Sequence, residues 1–211
     1  MSQVTVFGAS YSVYVRIVRL VLEEIGVPYE LVEIDIYAKD SVPAEYAERH
    51  PFGRIPAFEH DGFRLFETDA IVGYAVESFG GDALLPARAQ ERARMRQIMR
   101  IMDSYGYPSW VWGIFVEEME RGRLGRLTPE EIERGTKCLR VLDGLAASEY
   151  LAGADLSLAD LWVYPMLVYL DLAPSGRTML RAFPKLAIWF DRMASRPSVA
   201  ATRFRAEHKA I

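Results

Sequence analysis

Cysteine is nearly absent. Cys138 is the single one in 211 residues, so no disulfide can form within the chain and no thiolate cluster can hold zinc. A Cys-x-x-Cys pair is missing as well, which excludes dithiol–disulfide exchange. Positive charge is not in surplus: 25 basic against 29 acidic residues leave a net charge of −4, and the chain as a whole has no pull toward nucleic acid. Long apolar runs are missing too. The uncharged stretch Ser104–Val116 falls well short of the ~20 residues that span a bilayer. Met1-Ser2-Gln3-Val4-Thr5 offers no basic region followed by an apolar core, so no secretory signal is predicted, and a reducing cytoplasm is the expected compartment. Repeats and low-complexity tracts are not found.

What is there reads as a folded protein: 51% of residues are hydrophobic and 26% charged, which is ordinary for a globular chain. Val4-Thr5-Val6-Phe7, closed by Gly8, is a strand candidate. A polar loop leads into a helix with Val15, Val18, Leu22 and Ile25 on one face, ended by Gly26 and kept from restarting by Pro28. Residues 29–34 alternate as a second strand. Strand–helix–strand implies a parallel pair joined by a crossover. A short helix is expected over 43–49, then a hairpin in which Ala57-Phe58-Glu59 and Phe63-Arg64-Leu65-Phe66 flank His60-Asp61-Gly62. A helix over Asp69–Phe79 completes the order β-α-β-α-β-β-α, that of a small thioredoxin-like α/β domain. Gly80-Gly81-Asp82, with Pro86 beyond, marks the boundary. The domains predicted are 1–80 and an all-α domain over 88–211. In the second, Met95, Ile98, Met99 and Met102 share a helical face, Thr128-Pro129 starts another helix, and Ser157 with Asp160 forms a capping box. Pro184 opens the last marked helix. The arginines at 88, 92, 94, 96 and 100 form a solvated helix face or a subunit contact.

Four segments then carry a resemblance: "VFGASYSVYVRIVRLVLEEIGVPYE", "HPFGRIPAFEHDGFRLFETDAIVGY", "LAGADLSLADLWVYP" and "FPKLAIWFDRMASRPSV". In this order the chain resembles the cytosolic glutathione transferases over nearly its whole length, and its first two segments look most like the serine-type, phi-like branch. The resemblance implies a thioredoxin-like domain followed by a helical one, and a homodimer whose contact includes the 88–100 helix and the helix after Thr68. It implies glutathione and a small hydrophobic electrophile as substrates, with no metal and no other cofactor. It also implies a cis Ile55-Pro56 bond, which can turn the Ile55 N–H and C=O outward to pair with an extended tripeptide.

Physical chemistry fits residues to that ligand. Thr68 reads as a helix N-cap, and the first-turn amides beyond it lack helix partners and favour a carboxylate. Glu67 can meet an ammonium. The adjacent pair suits the α-amino and α-carboxylate groups of the γ-glutamyl end. Serine-type relatives carry a histidine and a lysine after the second strand for the glycyl carboxylate; here the stretch is Lys39-Asp40-Ser41-Val42. Lys39 and Arg54 are the candidate substitutes.

A thiol of pKa ~8.5 is mostly protonated at neutral pH, and the thiolate is the nucleophile. Lowering that pKa by about two units takes roughly 2.7 kcal/mol of preference for the anion. A hydroxyl at a helix entrance is one source. Ser10, Tyr11 and Ser12 all stand there. In the serine-type relatives the active serine precedes an arginine by four residues, as Ser12 precedes Arg16. Ser12 is therefore the candidate activator, with Ser10 and Tyr11 its rivals. Tyr11, Tyr105, Tyr107, Trp110 and Trp112 are candidates for the hydrophobic substrate site, since Gly106, Pro108 and Gly113 interrupt an aromatic-rich helix there. A non-catalytic binding or assembly module of the same fold, or a glutathione-dependent isomerase, dehalogenase or peroxidase, is the alternative function.

Overall fold

A computed structural model describes residues 3–38, 42–146 and 148–207. The chain divides into two compact units: residues up to Asp82 together with the segment that begins at Pro197, and Ala83–Arg196.

The first unit is an α/β domain of thioredoxin-like order. Strands β1 (Val4–Phe7), β2 (Glu30–Val32), β3 (Ala57–His60) and β4 (Phe63–Phe66) form one sheet in the order β2-β1-β3-β4. β1 is parallel to β2 and antiparallel to β3, and β3 is antiparallel to β4. Helix α1 (Val13–Glu24) makes the crossover between the parallel strands and buries Val15, Ile17, Val18, Leu20, Val21 and Leu22. It ends at Ile25, with Gly26 following at φ 71°, a left-handed step that glycine takes at no steric cost. A 3₁₀ turn, Ala44–Glu48, precedes the hairpin, and helix α2 (Thr68–Phe79) follows it. The second strand is shorter than its alternating pattern, which frees Glu33 and Asp35 for the work described below.

The segment that returns to this unit carries α8 (Pro197–Ala201), packed on α1. Arg16 is 1% exposed. Its guanidinium pairs with Glu207 at 2.8 Å, donates to Thr202 Oγ1 at 3.4 Å and lies over the Phe204 ring. Arg19 donates to the Ala201 carbonyl at 3.2 Å, and the Ser198 hydroxyl to Glu24 at 2.5 Å. Buried cations survive only when paired, so this segment completes α1.

The second unit is helical: α3 (Ala89–Ile101), a continuation over Met102–Glu120, α4 (Pro129–Leu145), α5 (Leu158–Leu172), α6 (Pro174–Arg181) and α7 (Pro184–Ala194). The continuation is a wide, π-type helix around Pro108, closed by an i→i+5 bond from Arg121 N–H to the Val116 carbonyl at 2.9 Å. The capping box expected at Ser157 forms, and a second one forms at Thr128. Thr128 and Glu131 exchange bonds of 3.2 and 2.7 Å at the start of α4. Fully buried Asp160 accepts from Ser157 N–H and Oγ, Leu151 N–H and the Trp189 indole at 2.8–2.9 Å. Among the described residues no helix is long and apolar enough to cross a membrane.

Asp160→Ala should strand those four donors without water. At about 1 kcal/mol or more for each unsatisfied buried group, it should lower the thermal midpoint by many degrees. Asp160→Asn, which keeps two acceptor lone pairs, should cost less; calorimetry of both variants checks the order.

Candidate functional site

The sheet's register assembles the site. Phe7 pairs with Val32 on one side and with Ala57 on the other, and Ala57 pairs with Phe66. The residues just beyond these four positions therefore emerge at one edge: Gly8–Ser12 after β1, Glu33–Asp35 after β2, Arg54–Pro56 before β3, and Glu67–Thr68 after β4. Gly8 is where they touch. A Cβ there would lie 2.4 Å from Val15 Cγ2 and 3.2 Å from Ile55 Cβ, so only a hydrogen fits between helix α1 and the start of β3.

Ser12 caps α1. Its backbone is extended, its Oγ accepts the Val15 N–H at 3.4 Å, and its carbonyl accepts the Arg16 N–H at 2.9 Å. Accepting leaves the hydroxyl proton available to a ligand. Tyr11 differs: its hydroxyl donates to Asp35 Oδ1 at 2.5 Å. Burial first, and that bond second, push the phenol above its ordinary range. Ser10 is held by its N–H, which donates to Glu33 Oε2 at 3.1 Å. Arg16, although spaced from Ser12 as expected, sends its side chain to Glu207.

The Ile55-Pro56 bond is cis, as the resemblance implied. Pro56 is buried and Ile55 half-buried. The preceding turn is fixed from below, where the buried Tyr46 hydroxyl donates to the Arg54 carbonyl at 2.8 Å and Gly53 takes φ 60°. The Arg54 side chain is exposed. His50 is 2% exposed, its ring centroid 5.0 Å from that of Phe66. Burial holds it below the ordinary histidine range, while the charge of Glu67 works against that. Lys39 lies outside the described residues.

The β4–α2 junction differs from the reading of Thr68 as the cap. Glu67 is the cap residue, because the first helical bond runs from Ile71 N–H to the Glu67 carbonyl at 3.0 Å. Thr68 is the first residue of the helix and is buried. Glu67 sits at φ 70°, a conformation that costs a non-glycine residue on the order of 1–3 kcal/mol and gathers at functional positions. Its carboxylate makes no cap bond and stays exposed at the start of α2.

The aromatic candidates of the second unit separate. Trp110 is fully buried and its indole donates to the Gly135 carbonyl at 3.1 Å; it belongs to the core, which corrects its placement in a substrate site. Tyr105 and Trp112 are 65% and 38% exposed. Tyr107 is half-buried and meets Trp112 edge-on at 6.5 Å. Among the described residues no group of three or more His, Cys, Asp or Glu side chains could hold a metal ion. Cys138 is buried, which pushes its thiol up to about 12, far from a reactive value.

The chain is 32% identical over 209 residues to the probable glutathione S-transferase GSTF1 of Oryza sativa subsp. japonica, covering 94% of each. The chain belongs to the glutathione S-transferase family. The family's N-terminal domain model matches residues 2–77 and its C-terminal domain model residues 112–201. The crystal structure of glutathione transferase F7 from Populus trichocarpa superposes with a TM-score of 0.81 at 27% identity, over 94% of this chain and 97% of that one. A glutathione S-transferase-I bound with lactoylglutathione gives a TM-score of 0.81 at 28% identity, over 95% and 98%. These relatives stand in the phi-like branch that the sequence resembles.

Gly8→Ala should force Val15 or Ile55 to move. It should cost about 1–3 kcal/mol of stability, as overpacking does. It should also weaken glutathione binding, while an alanine at exposed Gly144 in α4, where a Cβ meets nothing within 4 Å, should leave binding unchanged. Thermal melting and titration calorimetry with glutathione check both.

Proposed function

We propose that the protein transfers the thiolate of glutathione to a small hydrophobic electrophile. The observation that carries this is the meeting, at one sheet edge, of a capping serine with a free proton, a proline-led strand start and an exposed carboxylate at a helix N-terminus. Each answers one part of the tripeptide. The Ile55 backbone pairs with the cysteinyl residue as a short added strand. Glu67 meets the α-ammonium, and the α2 amides with the Thr68 hydroxyl hold the adjacent carboxylate. Arg54, with Lys39, meets the glycyl carboxylate as a charge-assisted donor.

Ser12 is the proposed catalytic residue. Its hydroxyl donates to the sulfur, and the positive end of α1 adds to the preference for the anion. The Tyr11 proton is engaged by Asp35, which favours Ser12 over its neighbour. The thiolate then attacks the electrophilic carbon; a bond to sulfur forms and the leaving group departs with its electron pair. The reaction needs no metal. Tyr105, Tyr107 and Trp112 are the proposed apolar contacts of the electrophile.

We also propose a cytoplasmic homodimer, with α2 and the arginine-bearing α3 in the contact. Arg94, Arg96 and Arg100 are exposed on α3, with exposed Arg88 at its N-cap, a charged face on a chain of net charge −4. Light scattering at micromolar concentration should give twice the chain mass of 23.9 kDa; a monomer would remove this proposal.

Ser12→Ala should raise the pKa of the bound thiol by about one to two units. The rate at neutral pH should then fall about ten- to hundredfold, because it follows the thiolate fraction below the thiol pKa. It should recover as pH rises and the thiol ionises unaided. A pH–rate profile with one aryl halide tests this, and an unchanged profile would remove Ser12 from the mechanism.

A further inference from the structure

We infer that Asp35 is a positioning residue for thiol activation: through the Tyr11 hydroxyl it fixes the loop that ends in Ser12. The inference rests on the glutathione chemistry proposed above. It gives the acidic continuation of β2 a task in the proposed chemistry besides its turn contacts.

The loop from Ala9 to Ser12 has to hold one hydroxyl against a sulfur anion, yet it spans few residues between a strand end and a helix entrance. Its anchors come from the next strand. The Tyr11 hydroxyl donates to Asp35 Oδ1 at 2.5 Å, and the Ser10 N–H donates to Glu33 Oε2 at 3.1 Å. Ser12 closes the turn with its N–H on the Ala9 carbonyl at 2.9 Å. The Asp35 carboxylate is itself fixed, because the same Oδ1 accepts the N–H of Tyr37 at 2.9 Å and of Ala38 at 3.3 Å. A side chain locked in its own turn makes a rigid post, and a tyrosine bonded to it transfers that rigidity to the residue next to Ser12.

Charge argues the same way. A bare carboxylate near a thiolate opposes ionisation of the thiol. The phenol bond offsets that charge and is the leading reason that Asp35 lies below the ordinary carboxylate range. A phenol so committed is no donor to sulfur unless the bond breaks. The latch and a direct donor role for Tyr11 therefore predict opposite responses when Asp35 is removed.

The test measures the thiolate absorbance of bound glutathione against pH, and the rate with an aryl halide, in the full-length protein. If the latch positions Ser12, Tyr11→Phe and Asp35→Ala should each raise the thiol pKa and slow conjugation at neutral pH about three- to tenfold, with recovery at high pH. The double variant should be no worse than either single one, since both remove the same bond. Asp35→Asn keeps the acceptor oxygen and should stay near wild type. Should Asp35→Ala not fold, Asp35→Glu, which shifts the acceptor by one methylene, should show the same raised pKa. An unmoved pH profile in the single variants, even with lower melting points, would reduce the bond to a fold contact and overturn the inference. So would an unchanged or lower thiol pKa in Asp35→Ala beside a raised one in Tyr11→Phe, which is the signature of Tyr11 as the direct donor. If the wild-type protein does not ionise bound glutathione at all, the glutathione chemistry falls and this inference with it. If the wild type ionises it and the Tyr11 and Asp35 variants ionise it at the same pH as the wild type, the inference alone falls.

Discussion

The antiparallel pairing of Phe7 with Ala57 governs the rest of the site. It brings the entrance of α1 beside the cis-proline start of β3, and the neighbouring pair Ala57–Phe66 carries the β4–α2 junction to the same edge. A one-residue slip would turn each strand's side chains to the other face and separate the serine from the proline. Gly8 enforces the approach from the other direction, since a side chain there would collide with Val15 and Ile55. The meeting of these residues at one end of the sheet thus follows from register and one missing Cβ.

On that frame the chemistry is a division of protons and charges. Ser12 accepts from the helix and keeps its hydroxyl proton for a ligand, while the Tyr11 hydroxyl donates its hydrogen bond to Asp35. Two helix entrances face the same edge and both favour anions. The entrance of α1 suits a thiolate and that of α2 a carboxylate. Glu67, at positive φ and exposed, carries a negative charge of the kind that meets the ammonium group in the proposed binding. The wide helix of the second unit carries exposed Tyr105 and Trp112, aromatic surface of the kind that apolar ligands use.

Much of this was legible in the sequence, where local rules agree with one another. The strand–helix–strand order, the hairpin turn, the Thr128 cap and the capping box at Ser157 rest on turn and cap residues whose effect is short-ranged. The cis bond came from resemblance rather than from the residues themselves. What escaped was set by contacts distant in sequence. Arg16 is spaced from Ser12 as in serine-type relatives, yet its side chain answers to Glu207, 191 positions on. Trp110 reads as one aromatic among several, and only the packing against Gly135 makes it core. Thr68 has the chemistry of a cap, but the chain turns one residue earlier, at Glu67. The Tyr11–Asp35 bond had a faint signal in the acid that follows an alternating strand, and nothing in the spacing pointed from one residue to the other.

The central claim is that one edge of the sheet holds glutathione with its sulfur at Ser12. A crystal structure of the protein with glutathione tests it most directly. The account predicts the sulfur within hydrogen-bond distance, about 3.0–3.5 Å for so large an anion, of Ser12 Oγ, with the cysteinyl backbone paired to Ile55 and the γ-glutamyl carboxylate on the first-turn amides of α2. Glutathione bound with its sulfur on Tyr11 or Ser10, or bound away from the Ile55-Pro56 strand start, would contradict it.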